Sequence, residues 1–167
     1  MSERPEYVLD RVFEAPRDMV WRAWTDPKLL SRWYGPNVET IIHKFDLKPG
    51  GLWLGEMKWG GKSNFSVVVF QEIVPLERLV WHHSSSDSEW NIIANPMMAD
   101  WPRVILTVVT FEDMGAKTKV RLTWAPHEAT GAENACFAGA MDRMGKGWEA
   151  GYALMDELFK ELQADSS

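Results

Sequence analysis

In the stretch TGAENACFAGAMDRMGKGWEAGYALMDELFKEL, Thr130 to Leu162, apolar residues return at alternating steps of four and three. Phe137, Met141, Met144, Trp148, Gly151, Met155, Leu158 and Leu162 therefore share one face of a helix with about 3.6 residues per turn. Thr130 and Glu133 stand at the spacing of a capping box, in which each side chain accepts from the other residue's backbone N–H. Unbroken, such a helix is about 45 Å long and needs a broad surface on which to bury its stripe. Gly139, Gly145, Gly147 and Gly151 interrupt it, each at about 1 kcal/mol relative to alanine. They predict a kink near Gly145–Gly147, or points where another backbone or a ligand comes close.

The surface lies upstream, where the period changes from three-and-four to two. Ile41, His43, Phe45 and Leu47 share one face of a strand, with Lys44 and Asp46 opposite. Trp53, Gly55, Met57 and Trp59 share a face of the next, with Glu56 and Lys58 opposite. Phe65–Val74, Arg78–Ser84, Arg103–Glu112 and Lys117–Ala125 follow, separated by Pro75, a long connection and the Asp113–Ala116 turn. In the last strand Val120, Leu122 and Trp124 alternate with Lys119, Arg121 and Thr123, as in an antiparallel sheet with one covered face. Before the sheet, Tyr7–Phe13 reads as a strand and Pro16 opens a helix carrying Val20, Ala23 and Trp24. Asp26 and Pro27, as N-cap and first helical residue, open a short helix with Leu29, Leu30 and Trp33, stopped by Gly35-Pro36. The expectation is an α+β fold of about six to seven strands, two short helices and a long C-terminal helix. One domain is expected over residues 1–167, with disordered ends at 1–5 and 163–167.

Several short motifs recur in this order. They are Arg11-Val12-Phe13-Glu14-Ala15-Pro16, Val20-Trp21, and Thr25-Asp26-Pro27 through Trp33-Tyr34-Gly35-Pro36. Pro49-Gly50-Gly51 before Trp53, Glu72-Ile73-Val74-Pro75 with Glu77-Arg78-Leu79-Val80, and Gly147-Trp148-Glu149 complete the set. Together they resemble the START-like helix-grip superfamily (SRPBCC). More narrowly they are similar to the branch related to the C-terminal domain of the heat-shock-chaperone ATPase activator, which has polyketide-cyclase-like and lipid-transport-like members. The resemblance implies a curved antiparallel sheet gripping the C-terminal helix, with a deep apolar cavity between them. In the activator this domain accompanies a separate N-terminal domain, for which this chain is too short, and that departure counts against chaperone activation.

The balance of 46% apolar and 25% charged residues is that of a globular chain. A net charge of −6 repels phosphate backbones and anionic membranes, so neither nucleic acid nor a membrane is an expected partner. No long uncharged apolar run or signal-peptide core occurs, and Cys136 is the sole cysteine, which rules out an internal disulfide and suits a reducing, cytoplasmic setting. His43, His82, His83 and His127 include no i, i+4 helical pair, and neighbours on a strand face opposite ways. No metal or cofactor is therefore expected. Ser84–Ser86 reads as a polar loop, no Gly-x-Ser-x-Gly elbow is present, and no catalytic residue is assigned. His43 and His83 do sit among apolar neighbours, and either one in the cavity would be a desolvated base. A cyclase or dehydratase is the resulting alternative.

Ten tryptophans are the unusual feature. Trp21, Trp24 and Trp33 read as helix packing and Trp124 as core. Trp53, Met57, Trp59, Trp81, His83, Met144, Trp148 and Tyr152 are expected to converge on the cavity, with Trp101 above them. Aromatic walls with methionine as adaptable filler suit a hydrophobic, flat aromatic or polycyclic ligand. The apolar connection Trp90–Pro102 is either a lid on that cavity or a contact surface for a chaperone or a second copy. The leading expectation is a binding or carrier protein.

Overall fold

The computed structural model describes residues 4–35, 38–96 and 98–165. Strand β1 (Tyr7–Phe13) leads into helices α1 (Arg17–Thr25) and α2 (Pro27–Trp33). Six strands follow: β2 (Glu39–Phe45), β3 (Leu52–Trp59), β4 (Lys62–Val74), β5 (Arg78–Ser86), β6 (Ile105–Met114) and β7 (Lys117–Pro126). Helix α3 (Gly131–Asp165) ends the chain. The seven strands form one antiparallel curved sheet in the order β1-β7-β6-β5-β4-β3-β2, with α3 across it: an α+β helix-grip fold.

Local chemistry accounts for the element boundaries. Asp26 caps α2 by accepting from the Lys28 N–H, and Pro27 fills the first helical position. Pro16 is the residue before α1 rather than its first turn, with an extended backbone that leads the strand into the helix. Gly35 leaves α2 with a φ of 79°, a left-handed conformation that glycine adopts without strain. Pro36, the second half of the expected stop, lies outside the described residues, as do 1–3 and 166–167 of the expected disordered ends. At the C-terminus α3 runs on through Asp165, and Gln163 Nε2 donates to Glu14 O at 2.8 Å.

Two expectations from the sequence are corrected. Helix α3 is continuous, with no break at Gly145–Gly147. Gly145 marks a close approach instead: a Cβ there would stand 3.0 Å from Tyr7 Oη. The second correction concerns β2. Ile42 pairs with Gly55 and Lys44 with Leu54, so His43 is the extra residue of a bulge. That extra residue reverses the parity of the strand. Ile42 and Phe45 face the core, while the His43 ring turns to the other face and meets Glu56.

Candidate ligand-binding site

The register builds the covered face row by row. Phe45, Trp53, Val68, His83 and Ile105 form one cross-strand row, and Phe70, Trp81, Thr107, Trp124 and Tyr7 form the next. Side chains directly opposite one another lie on the same face, so this places Trp53, Trp81, His83 and Trp124 together under α3. Helix α2 closes one side. The Trp33 indole donates to Ala23 O at 2.8 Å, which fixes α2 against α1, and the Tyr34 ring reaches 5.0 Å from Trp53.

Trp148 of α3 stands at the centre of this arrangement. Its ring stacks on Trp24 at 6.1 Å and 24°, meets Trp124 edge-on at 5.3 Å, and lies 6.0 Å from Tyr34. On its outward side is a pocket of about 310 Å³, walled by Trp33, Tyr34, Met57, Trp124, Met144 and Trp148. Gly147 and Gly151 contribute bare helix surface, and Arg143 is the one charged residue of the lining among the described residues. Arg143 and Met144 also border a second depression of about 450 Å³ under Asn95, Met98 and Trp101, so the two openings adjoin along α3. A larger hollow of about 550 Å³, between β1 and the end of α3, has a different character. It is lined by Arg11, Glu14, Asp156 and Lys160 and bridged by an Arg11–Asp156 ion pair, so water suits it better than an apolar molecule.

Of the residues expected in the cavity, Met57, Met144 and Trp148 line the pocket. Trp53, Trp81 and Tyr152 form the buried layer behind it. His83 lies half-buried on the covered face, and burial pushes its imidazole down to about 4, so it is neutral near pH 7. Trp101 packs on Phe137 with ring centroids 5.5 Å apart and borders the second depression. Trp59 is not in the group. It shares the parity of Met57 but sits at the β3–β4 hairpin tip opposite Lys62, beyond the reach of α3, and is 37% exposed. Pocket walls that the sequence reading assigned elsewhere are Trp33 and Trp124, together with Tyr34 at the α2 end. The Trp33-Tyr34-Gly35 motif held the signal for two of them, but only the tertiary position of α2 reveals it.

His43 also lies away from the cavity. Its Nε2 is 2.8 Å from Glu56 Oε1, and Ser63 Oγ donates to the other carboxylate oxygen. These bonds, that from Ser63 first, hold the Glu56 carboxyl below its ordinary range. Trp90 covers the cluster with its ring 5.3 Å from His43 and 5.4 Å from Phe65. Asp87 organises that turn by accepting from the backbone N–H groups of Glu89 and Asn91. Both described aromatic anchors of the long connection therefore pack on the fold itself; Met97 lies outside the described residues. Among the described residues no three His, Cys, Asp or Glu side chains could hold a metal ion, and no helix is long and apolar enough to cross a membrane.

The family described as Activator of Hsp90 ATPase homolog 1-like protein matches residues 14–160. A solved structure from Arthrobacter aurescens superposes with a TM-score of 0.78 at 20% identity, over 93% of this chain and 86% of that one. One from Mycobacterium smegmatis gives 0.76 at 17% identity, over 96% and 98%. A third, from Nitrosomonas europaea, gives 0.70 at 23% identity, over 95% and 96%. These identities carry the fold and nothing finer. No curated protein matches the chain. With the motifs, the helix-grip architecture and a family match across nearly its whole length, the chain belongs to the activator of Hsp90 ATPase homolog 1-like family of the START-like superfamily.

Proposed function

We propose that the chain binds a hydrophobic, flat aromatic or polycyclic small molecule in the pocket outside Trp148. The observation that carries this reading is the lining: four aromatic side chains and two methionines around about 310 Å³, with Arg143 as the single charge at the rim. Rings offer stacking and edge contacts to a flat guest, and methionine adapts to its outline. A volume near 300 Å³ is at the lower end of small-molecule sites and suits a compact polycycle.

The packing of the Trp90–Pro102 connection counts against a docking surface, and its Asn95, Met98 and Trp101 border the depression that adjoins the pocket. Trp90 and Trp101 are engaged with Phe65 and Phe137 and are not presented to a partner. An enzyme of cyclase or dehydratase type draws on His83 alone, the one imidazole of the pair on the covered face. Turnover of a candidate substrate that is lost in His83→Gln would favour that second reading.

The binding reading is tested by titrating a panel of polycyclic aromatics while following amide chemical shifts. Saturable shifts are expected around Met57, Trp124, Met144 and Trp148, with weakened affinity in Trp148→Ala. Shifts confined to β1 and the end of α3 would sink it.

A further inference from the structure

Three polar atoms inside the aromatic core have no hydrogen-bond partner among the described residues: Trp24 Nε1, Thr107 Oγ1 and Tyr152 Oη. Their residues are 2%, 0% and 0% exposed, so bulk water does not satisfy them. Buried polar groups are nearly always paired, and three orphans in one neighbourhood call for a cause. The neighbourhood is shared. The Trp24 and Tyr152 rings are 6.4 Å apart, and each lies 6.1 Å from the Trp148 ring. Thr107 points from the sheet between its cross-strand neighbours Trp81 and Trp124, which lie 6.1 Å from Trp24 and 5.3 Å from Trp148 respectively. The residues of all three orphans therefore surround Trp148, which is also a wall of the pocket.

Trp148, in ring contact with Trp24, Tyr34, Trp124 and Tyr152, is the side chain between these atoms and the pocket that a guest would have to displace. Gly145 and Gly151, three residues to either side, share its helix face, and Gly147 precedes it. Those positions offer the indole no side chain of α3 itself, and at Gly145 the neighbour is Tyr7 Oη. Three of the four helix glycines, Gly145, Gly147 and Gly151, thus cluster around Trp148.

The chemistry of the orphans selects the guest. An indole N–H only donates, and the two hydroxyls donate as readily as they accept, so the group matches an acceptor oxygen. A carboxylate is disfavoured, because the Arg11 guanidinium beside the Tyr152 ring is committed to Asp156, and Arg143 stands at the outer rim. We infer that, with Trp148 swung aside, the pocket reaches a polar inner end formed by Trp24, Thr107 and Tyr152, and that its ligand is a polycyclic aromatic bearing an uncharged carbonyl. This rests on the pocket reading above and adds the functional group.

Fluorene, 9-fluorenone and fluorene-9-carboxylate share a ring frame and differ at one position, so calorimetric titration of the three separates the two claims. Fluorenone is expected to bind at least about tenfold more tightly than fluorene, as one or two buried hydrogen bonds would give. Thr107→Val and Tyr152→Phe should each reduce the fluorenone affinity and leave that of fluorene unchanged. A readout that needs no variant is the infrared carbonyl stretch of bound fluorenone, which falls below its value in an aprotic solvent when donors reach the oxygen. Equal affinities for fluorene and fluorenone, an unshifted stretch, or tighter binding of the carboxylate would overturn the carbonyl assignment and leave the pocket standing, with ordered water as the partner of the orphans. If none of the three binds, the pocket reading falls and the carbonyl assignment falls with it.

Discussion

The two halves of α3 cross the same sheet and meet it in opposite ways. From Tyr152 onward the helix presents Tyr152, Met155, Leu158 and Phe159 at 0%, 0%, 2% and 2% exposure. Phe13 wedges between two of them, 5.0 Å from Tyr152 and 5.6 Å from Phe159. Before Trp148 the same stripe starts from Phe137, fully buried, and then holds Met141 and Met144, both half-buried, with Gly145 and Gly147 beside them. One half is a solid core; the other, past Phe137, is a bare, adaptable wall beside a pocket. A rigid anchorage at one end lets the other end leave space without the helix detaching.

The largest expected effect is the contrast between truncations in the two halves. Leu158→Ala opens a cavity in close-packed surroundings and should cost about 2–5 kcal/mol. Met144→Ala borders space that already exists and should cost less than about 1 kcal/mol while weakening ligand binding. Urea denaturation of both variants checks the pair. Equal losses would mean that the N-terminal half is packed as tightly as the C-terminal one.

The next effect is set by pH and belongs to the pocket side of the sheet. His83 is pushed from 6.5 down to about 4, so the unfolded chain takes up its proton before the folded one does. Its contribution is fully present above pH 6.5 and is lost as the pH falls from 6.5 to about 4. Because solvent still reaches part of the ring, about 1–3 kcal/mol is expected across that window. His82 is lowered in the same direction by burial and by His127, so His83→Gln should shrink the loss without abolishing it. Carboxylates such as Glu56 and Glu133, held below their ordinary range, release their contribution at still lower pH. A stability curve for His83→Gln that parallels the parent between pH 4 and 6.5 would place the imidazole in water.

A smaller effect comes from the cap that starts the pocket half. Thr130 Oγ1 accepts from the Glu133 N–H at 3.1 Å, and Glu133 Oε1 accepts from the Thr130 N–H at 3.0 Å. The second carboxylate oxygen takes the Arg103 N–H at 2.9 Å and ties the end of the long connection to the helix. Thr130→Ala should cost about 1 kcal/mol. Amide exchange should accelerate over the first turns of α3 and leave Tyr152–Phe159 protected. Loss of protection along the whole helix would deny the two halves their independence.

Parity made much of this legible, and register limited it. Strict alternation in β7 and the four-three stripe of α3 are local, so the strand, the helix and the cap all follow from spacing. A bulge is set by the neighbouring strand: nothing in Ile41–Phe45 marks His43 as the residue that β3 leaves unpaired. Trp59 shows the complementary limit, since alternation specifies a face and says nothing of how far the covering helix extends. Trp33 and Trp124 carry apolar signals that suit a core and a pocket wall equally. Which one applies depends on the empty space beside them, and that space is a property of the assembled fold.

The smallest effect expected is a gain. Gly139 and Gly147 are exposed helical glycines at which an added Cβ meets nothing within 4 Å. Alanine at either should stabilise by about 0.5–1 kcal/mol, chiefly by restricting the unfolded chain. The two sites then diverge in function. Gly139 lies outside both pocket linings, so Gly139→Ala should leave ligand affinity unchanged. Gly147 lines the pocket beside Trp148, so Gly147→Ala should stabilise the helix and weaken binding together. Thermal unfolding and ligand titration on both variants measure the two quantities independently. If Gly147→Ala raises stability and leaves binding unchanged, the bare wall of α3 has no part in the site, and glycine there needs another explanation.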